Sequence, residues 1–375
     1  QFIDTLTGGA FSSATIFAMG ITPYVNASII MQLLTVAIPY LERLQKEGEE
    51  GRKTIQQWVR YARVILALVQ AVALYFGLRT AVYSVNVWSF LTITMSFTAG
   101  TAFLMWLGEK ITDKGIGNGI SLIIFAGIVS RAPQAVLSLF TIVYQTDASG
   151  RGAVSLGGVV ALIGIVIVFV GVIAAAIWVQ QGERRIPVQY AKRVVGRKMV
   201  GGQSSHLPIK VNMAGVIPII FSMSILSLPS TIVAFFFAGN TSPFVQGIVN
   251  FQSSIWYALL NAVLIVFFTF FYTIVQFNPV EVANNLRKNG GFIPGIRPGK
   301  PTADFISRIL YRITWFGGIF LALITIFPNI MGTITGVRNL WFGGTSVLIL
   351  VGVALDTVKQ IESQMLMRHY KGFLG

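Results

Sequence analysis

The sequence has no cysteine and only two histidines. Without thiols, neither a disulfide framework nor a thiolate metal site can form. His206 and His369 show no metal-ligand spacing, so neither a metal nor any other cofactor is expected. Charge is scarce as well. Asp, Glu, Lys and Arg make up 11% of the 375 residues, whereas a soluble fold carries roughly 25%. Acids are the scarcer sign, 13 against 28 Lys and Arg, for a net charge of +15. Such a balance raises nucleic acid as a partner, but in a membrane chain basic residues have a simpler use on the cytoplasmic side. With 54% hydrophobic residues and a mean hydropathy of +0.72, the chain has too little polar surface to face water. Its solvent is the bilayer.

A further absence concerns chemistry. No long apolar run carries a charge near its middle: Glu109, Glu183, Asp304 and Asp356 all stand at or near run ends. Ion-coupled transporters and intramembrane hydrolases place ionisable groups at midplane, where an unneeded charge costs about 2.5–3.5 kcal/mol on insertion. The lack of any counts against both, and no enzyme is expected. "GIRPGKPT" is not a phosphate loop either, because Pro294 and Pro301 occupy the positions where that motif needs glycine and Ser/Thr.

What the chain does have is apolar runs long enough to cross a bilayer as helices of about 20 residues. Nine are predicted, near 14–37, 57–78, 88–108, 119–142, 154–179, 211–238, 254–277, 305–328 and 341–358. The fourth is short or broken, since Arg131 and Pro133 interrupt it. These runs are too long and continuous for barrel strands, so sheet is not expected within them. Segments 38–63, 109–118, 180–210, 278–312 and 359–375 hold 24 of the Lys and Arg, and the opposite side holds only Arg79, Arg131, Arg151 and Arg338. That asymmetry makes the former segments and the C-terminus cytoplasmic. Counting back through nine spans puts residue 1 outside. "QFIDTLTGGAFSSAT" lacks the basic start of a signal peptide, so one further helix upstream is expected.

Two other stretches stand out. "FIDTLTGG" is apolar but too short to span, and it reads as an interfacial helix or as a stopper packed inside a cavity. "NLRKNGGFIPGIRPGKPT", residues 285–302, joins four cations to a frame of glycine and proline with no carboxylate. Asn26, Ser28, Gln32 and Gln70 are polar, uncharged residues within spans, where they serve helix–helix hydrogen bonds more often than binding. On these grounds the chain is a passage or a carrier.

Longer motifs narrow this. "SSATIFAMGITPYVNASIIMQLL", "EGEEGRKTIQQWVRYAR", "GEKITDKGIGNGISLIIFAGIV", "GERRIPVQYAKR", "SSHLPIKVNMAGVIPIIF", "FNPVEVANNLRKNGGFIPGIRPGKPT" and "FGGTSVLILVGVALD" occur in order along the whole chain. Together they resemble the bacterial SecY family. The resemblance implies an all-α polytopic membrane protein, a ten-helix bundle in two inverted halves of which nine spans, the second to the tenth, are present. Residues 1–12 would be a plug, with Phe2, Ile3, Leu6, Gly8 and Gly9 in it. Residues 13–145 would form the N-terminal half, 146–153 an external hinge, 154–358 the C-terminal half and 359–375 a cytoplasmic tail.

By the same resemblance the function would be a protein-conducting channel of the bacterial plasma membrane. It would pass unfolded secretory chains and release signal sequences and membrane helices sideways. Its pore ring would be Ile21, Val25, Ile124, Ile128, Ile220 and Ile349, with Val25 smaller than the isoleucine common there. Such a ring dewets a narrow waist. Asn26 and Gln70 would line a lateral gate between the spans at 14–37 and 57–78 and those at 211–238 and 254–277. Loops 180–210 and 278–304 would dock the SecA motor or the ribosome through Arg184, Arg185, Arg193, Arg197, Lys198, Arg287, Lys288 and Arg297. Small membrane subunits SecE and SecG, signal peptides, translocating polypeptides and the lipid bilayer would be further partners. The rival readings are a secondary transporter with inverted repeats and a structural or lipid-handling membrane protein.

Overall fold

A computed structural model describes residues 10, 13–78, 82–134, 136–137, 144–146, 152–154, 156–190, 193–195, 198–200, 204–236, 242–251, 254–335 and 344–371. The chain divides into two compact units, Gln1–Phe169 with Ser224–Ser254 and Met331–Gly375, and Val170–Met223 with Ile255–Ile330.

In the first unit the opening apolar run is not one helix. Residues 13–21 form turns, and α1 (Thr22–Ala37) begins where Pro23 occupies its first turn. It stops at Ile38, held extended at φ −104° and ψ 112°, as expected for a residue followed by proline. Pro39 then starts α2 (Pro39–Lys46), bent 101° from α1. Both ends of the break are satisfied through one residue, since Ile38 donates to Leu34 O at 2.8 Å and accepts from Leu41 N at 3.0 Å.

The long helices α3 (Glu49–Gly77) and α4 (Val87–Lys114) pack on each other, and α3 also packs on α1. Their shared core is made of small residues beside a few large ones. Ala18, Ala67 and Ala71 are fully buried with Met19, Leu74 and Phe97. Lipid tails are as apolar as leucine, so helix association in a bilayer relies on such close approach rather than on burial from water.

The tightest approach joins α4 to α5 (Gly119–Ser130). A Cβ on Gly119 would sit 2.0 Å from Gly108 O, and one on Gly108 would sit 2.8 Å from Ile120 Cγ1. Thr112 Oγ1 donates to Gly108 O and accepts from Gly119 N, both at 2.9 Å, while Asn118 Oδ1 caps α5 through Ile120 N and Ser121 N. As the sequence predicts, α5 is short and ends at Arg131. Strands β1 (Tyr144–Thr146) and β2 (Gly152–Val154) pair antiparallel beyond it. Helix α12 (Gly344–Lys371) packs on α5.

The second unit contains the end of α6 (Leu156–Gln181), the start of α7 (Ile217–Phe236), α9 (Ile255–Gln276), α10 (Pro279–Lys288) and most of α11 (Lys300–Thr335). Helix α8 (Pro243–Phe251) belongs to the first unit. Helices α7 and α9 are joined by a buried hydrogen bond, Ser222 Oγ to Asn261 Oδ1 at 2.5 Å, and by Phe221 against Phe268 and Tyr272. Phe270 of α9 packs against Tyr311 and Trp315 of α11, tilted to the first and edge-to-face with the second, with ring centroids 5.2 and 5.3 Å apart.

Six helices among the described residues are long and apolar enough to cross a membrane: Glu49–Gly77, Val87–Lys114, Gly158–Gln181, Ile255–Lys288, Lys300–Phe327 and Gly344–Leu366. The bent α1–α2 pair makes a seventh, and Gly119–Gln134 and Ile217–Ser227 are shorter apolar helices. The nine apolar runs are therefore unequal as helices among the described residues. Proline and glycine break the first run and the fourth is short, although all nine apolar runs contain helix.

Because Gly119 faces backbone rather than a movable side chain, Gly119→Ala is expected to force α5 off α4. Overpacking of this kind costs about 1–3 kcal/mol, so a clear drop in heat stability of the detergent-purified protein is expected. A matched Gly164→Ala, at a site where an added Cβ meets nothing within 4 Å, should show no loss.

Candidate functional site

The two basic loops fold together. From Gly182 the chain enters β3 (Glu183–Tyr190), which pairs antiparallel with β6 (Ser204–Lys210) from Glu183↔Lys210 to Gln189↔Ser204. On its other edge β3 pairs with β7 (Gly291–Phe292), Tyr190 opposite Gly291. A Cβ on Gly291 would lie 2.9 Å from Tyr190 Cε1, so glycine permits this approach. Between β3 and β6 a second hairpin pairs β4 (Arg193–Val195) with β5 (Lys198–Val200).

Along β3, Ile186 and Val188 point inward while Arg185, Pro187 and Gln189 face solvent. That period of two is the signature of a half-buried strand. The inward residues join Ile209, Leu286, Ile293, Ile306 and Leu310 in one core. Loops 180–210 and 278–304 are thus one small sheet-and-helix body seated on the start of α11. The sequence reading treated them as separate loops and missed this sheet, although "RIPVQY" and "HLPIK" alternate visibly.

The cations stand on a fixed frame. Asn278 Oδ1 caps α10 by accepting from Val280 N and Glu281 N at 3.1 and 3.3 Å. Arg287 and Lys288 occupy the last turn of α10, where its dipole favours positive charge. The following loop is turned by Gly290, Gly295 and Gly299 at φ +70°, +80° and +103°, values that favour glycine. Arg287 Nη1 comes within 3.9 Å of where a Cβ on Gly299 would be. Thr302 Oγ1 donates to Arg297 O at 2.8 Å, tying the backbone of Arg297 to the first turn of α11. Arg287, Lys288 and Arg297 are all exposed, and none has an acidic partner among the described residues. Nothing here resembles a metal site: no cluster of metal-ligating side chains occurs among the described residues.

The chain matches the SecY family over residues 15–358. It is 45% identical to the protein translocase subunit SecY of Halalkalibacterium halodurans, over 100% of this chain and 87% of that relative. The chain belongs to the SecY family. Its fold agrees with a solved structure described as that of a protein conducting channel, with a TM-score of 0.67 at 21% identity, over 97% of this chain and 85% of the other. It also agrees with Sec61 in a canine ribosome-channel complex from the endoplasmic reticulum, with a TM-score of 0.64 at 18% identity, over 97% and 85%. It is accordingly an all-α polytopic membrane protein.

Of the positions that the SecY resemblance singled out, Ile21, Ile124, Ile128 and Ile349 are buried in the first unit, while Val25 is half-buried there. Ile124 and Ile128 lie on α5 and Ile349 on α12, which pack together. Ile21 caps the start of α1 and accepts from Val25 N at 3.1 Å. Ile220 is half-buried on α7 in the second unit. Asn26 and Gln70 lie on the packed pair α1 and α3, both half-buried. Asn26 Oδ1 is buried without a hydrogen-bond partner among the described residues, as are Thr22 Oγ1 and Ser28 Oγ.

Arg184 is exposed, and Arg185 is already paired with Glu183 at 2.6 Å. Arg193 and Lys198 stand in the β4–β5 hairpin. Arg197 and the residues expected as a plug, Phe2, Ile3, Leu6, Gly8 and Gly9, lie outside the described residues, as do 147–151 of the expected hinge.

Ile306 is completely buried under the sheet. Ile306→Ala is expected to cost about 2–5 kcal/mol and to loosen both loops at once. Limited proteolysis should then cut within 180–210 as well as 285–300. Faster cutting in 285–300 alone would show that the loops are independent.

Proposed function

We propose that this chain is the channel-forming subunit of a protein translocase, conducting unfolded polypeptides across the membrane and releasing apolar signal and membrane helices sideways. The observation that carries this reading is the family match over residues 15–358, joined to a helical fold that agrees with that of a protein-conducting channel. A channel needs no catalytic group, and the chain is read as a non-enzyme without cofactors. Its place would be the bacterial plasma membrane, with the C-terminus cytoplasmic because the basic loops and the tail share one side.

Within this reading, Ile21, Val25, Ile124, Ile128, Ile220 and Ile349 form the waist. Branched apolar side chains at one depth dewet when idle, and they grip a passing chain without hydrogen-bonding to it, so any sequence can slide. Residues 1–12 plug it, and 146–153 hinge the halves 13–145 and 154–358. Asn26 and Gln70 make a polar seam that apolar helices can part. The burial of Ile21, Ile124, Ile128 and Ile349 suits a shut waist, although ordinary packing buries isoleucine too. SecE and SecG would complete the membrane complex.

The body built on β3, β6 and β7 would receive the SecA motor or the ribosome. Its exposed arginines suit acidic protein surfaces and rRNA phosphates alike, and a related channel has been seen in a complex with a ribosome.

Ile349→Asn puts an amide into the waist and is expected to weaken the closed packing by about 1–3 kcal/mol. Precursors with defective signal sequences should then be exported more efficiently, by roughly tenfold. Export no better than the parent's would remove Ile349 from the ring.

Arg297→Glu is expected to abolish SecA-dependent import into vesicles while leaving channel abundance unchanged. Loss of one partner from a desolvated interfacial charge pair costs about 2–5 kcal/mol. Lys300→Glu, exposed in the same loop but at the start of α11, serves as the control and should retain most import. If both reversals fail equally, total cytoplasmic charge matters rather than a docking contact. If Arg297→Glu imports as well as the parent, the loop is a linker.

A further inference from the structure

Three helices of the first unit meet at one arginine. Arg63 projects from α3, and its side chain is only 14% exposed. Its Nη1 donates to Glu109 Oε1 of α4 at 3.2 Å, and its guanidinium carbon lies 3.8 Å from the ring centroid of Tyr24 on α1. The other oxygen of Glu109 accepts from Arg60 Nη2 at 3.1 Å, with the Arg60 side chain 69% exposed. One carboxylate therefore serves two guanidinium groups, and the surplus positive charge near Arg63 lies against the electron-rich face of Tyr24. Arg63 Nε is buried without a partner among the described residues. The buried cation thus depends on two contacts, one to α4 and one to α1.

These contacts are not equivalent. The ion pair joins α3 to α4, and Arg60 duplicates it. The ring contact alone carries the guanidinium to α1, where Tyr24 lies in the first turn between Ile21 and the pair Val25 and Asn26. Fixing Tyr24 fixes the rotation of that turn. A flat guanidinium can lie on the ring while donating in plane to a carboxylate, which an ammonium cannot reproduce. In the gate reading α1 and α3 form one wall, and this contact holds the first turn of α1, with Ile21, Val25 and Asn26, at a fixed rotation on it.

We propose that Arg63 is a positioning residue that holds α1 on α3 and α4 through Tyr24, and so sets how strong a signal sequence must be to open the channel. The role rests on the channel reading above. The ion pairs to Glu109 keep α3 and α4 together, and Arg60 takes no part in the latch.

The test uses the complete channel complex reconstituted into vesicles, with the import of precursors carrying intact or defective signals as readout. Tyr24→Leu is expected to raise import of the defective precursor roughly tenfold while import of the intact one stays near the parent's. Tyr24→Phe keeps the ring face and should discriminate like the parent, as should Arg60→Gln. Combining Tyr24→Leu with Arg63→Gln should relax discrimination no further than Tyr24→Leu alone, because both remove the same contact. Channel abundance and heat stability are followed in parallel. Should Tyr24→Leu fail to accumulate, Arg63→Lys, which keeps the charge but loses the flat face, must show the relaxed discrimination instead.

Parent-like discrimination by Tyr24→Leu, leucine-like behaviour of Tyr24→Phe, or additive effects in the double variant would overturn the positioning role alone. A parent complex that cannot import even the intact precursor would overturn the channel reading and this role with it.

Discussion

In the middle of a bilayer no water is available to satisfy a free N–H or C=O, and the build of the apolar helices answers that constraint. In the basic segments between runs, where water is at hand, asparagine side chains also take up the first free amides, Asn118 for α5 and Asn278 for α10. Where one helix gives way to another, Ile38 serves both ends of the bend. Buried threonines solve the same problem for their own hydroxyls. Thr35, Thr98, Thr269, Thr273, Thr314 and Thr325 each donate to the carbonyl four residues earlier, at 2.7–2.8 Å. A hydroxyl hidden in its own helix costs little in lipid and leaves the helix surface smooth. Against that background the unpartnered Thr22, Asn26 and Ser28 atoms on α1, and those of Thr94 and Thr101 on α4, are exceptions among the described residues.

The chain meets two solvents and packs differently in each. Between spans, attraction comes from close contact, so alanine and glycine occupy the interfaces and Gly108 meets Gly119 nearly backbone to backbone. Outside the membrane, water drives burial, and the sheet body gathers Ile186, Val188, Ile209, Ile293 and Ile306 into an aliphatic core as any small soluble domain would. Each fully buried isoleucine there is worth about 1.5–3 kcal/mol. A mobile loop has no such core. The cations of this body are therefore held by packing.

Much of this was legible in the sequence. Apolar runs marked the spans because length and lack of charge are one-dimensional properties, and Arg131 marked the end of α5 correctly. Helix breaks inside the first run were harder, since Gly20 and Pro23 are tolerated in membrane helices and only the backbone decides. The β3–β7 pairing escaped because β7 is two residues long and pairs with a strand about a hundred positions earlier, so no local pattern announces it. The Arg63 contacts escaped for the same reason, because residues 24, 63 and 109 come together only through helix packing. Isoleucines at a waist carry no signature at all. Only resemblance distinguishes Ile349 from any other isoleucine in an apolar helix.

The scarcity of acids gives their placement meaning. With 13 carboxylates against 28 cations, one-to-one pairing within the chain cannot reach every basic group. Among the described residues, Glu109 holds Arg60 and Arg63, and Glu183 holds Arg185. In the first case the acid fixes a buried arginine where three helices meet. In the second it fixes an arginine on β3, the central strand of the sheet. Arg287, Lys288 and Arg297 receive no such acid, although α10 and the turn glycines hold their backbones in place. A surface cation on a slack loop gains little from any partner, because ordering it consumes the attraction. On a frame already ordered by the core beneath it, that cost is largely met in advance, and the same charges can attract an acidic or phosphate-bearing surface from outside the chain.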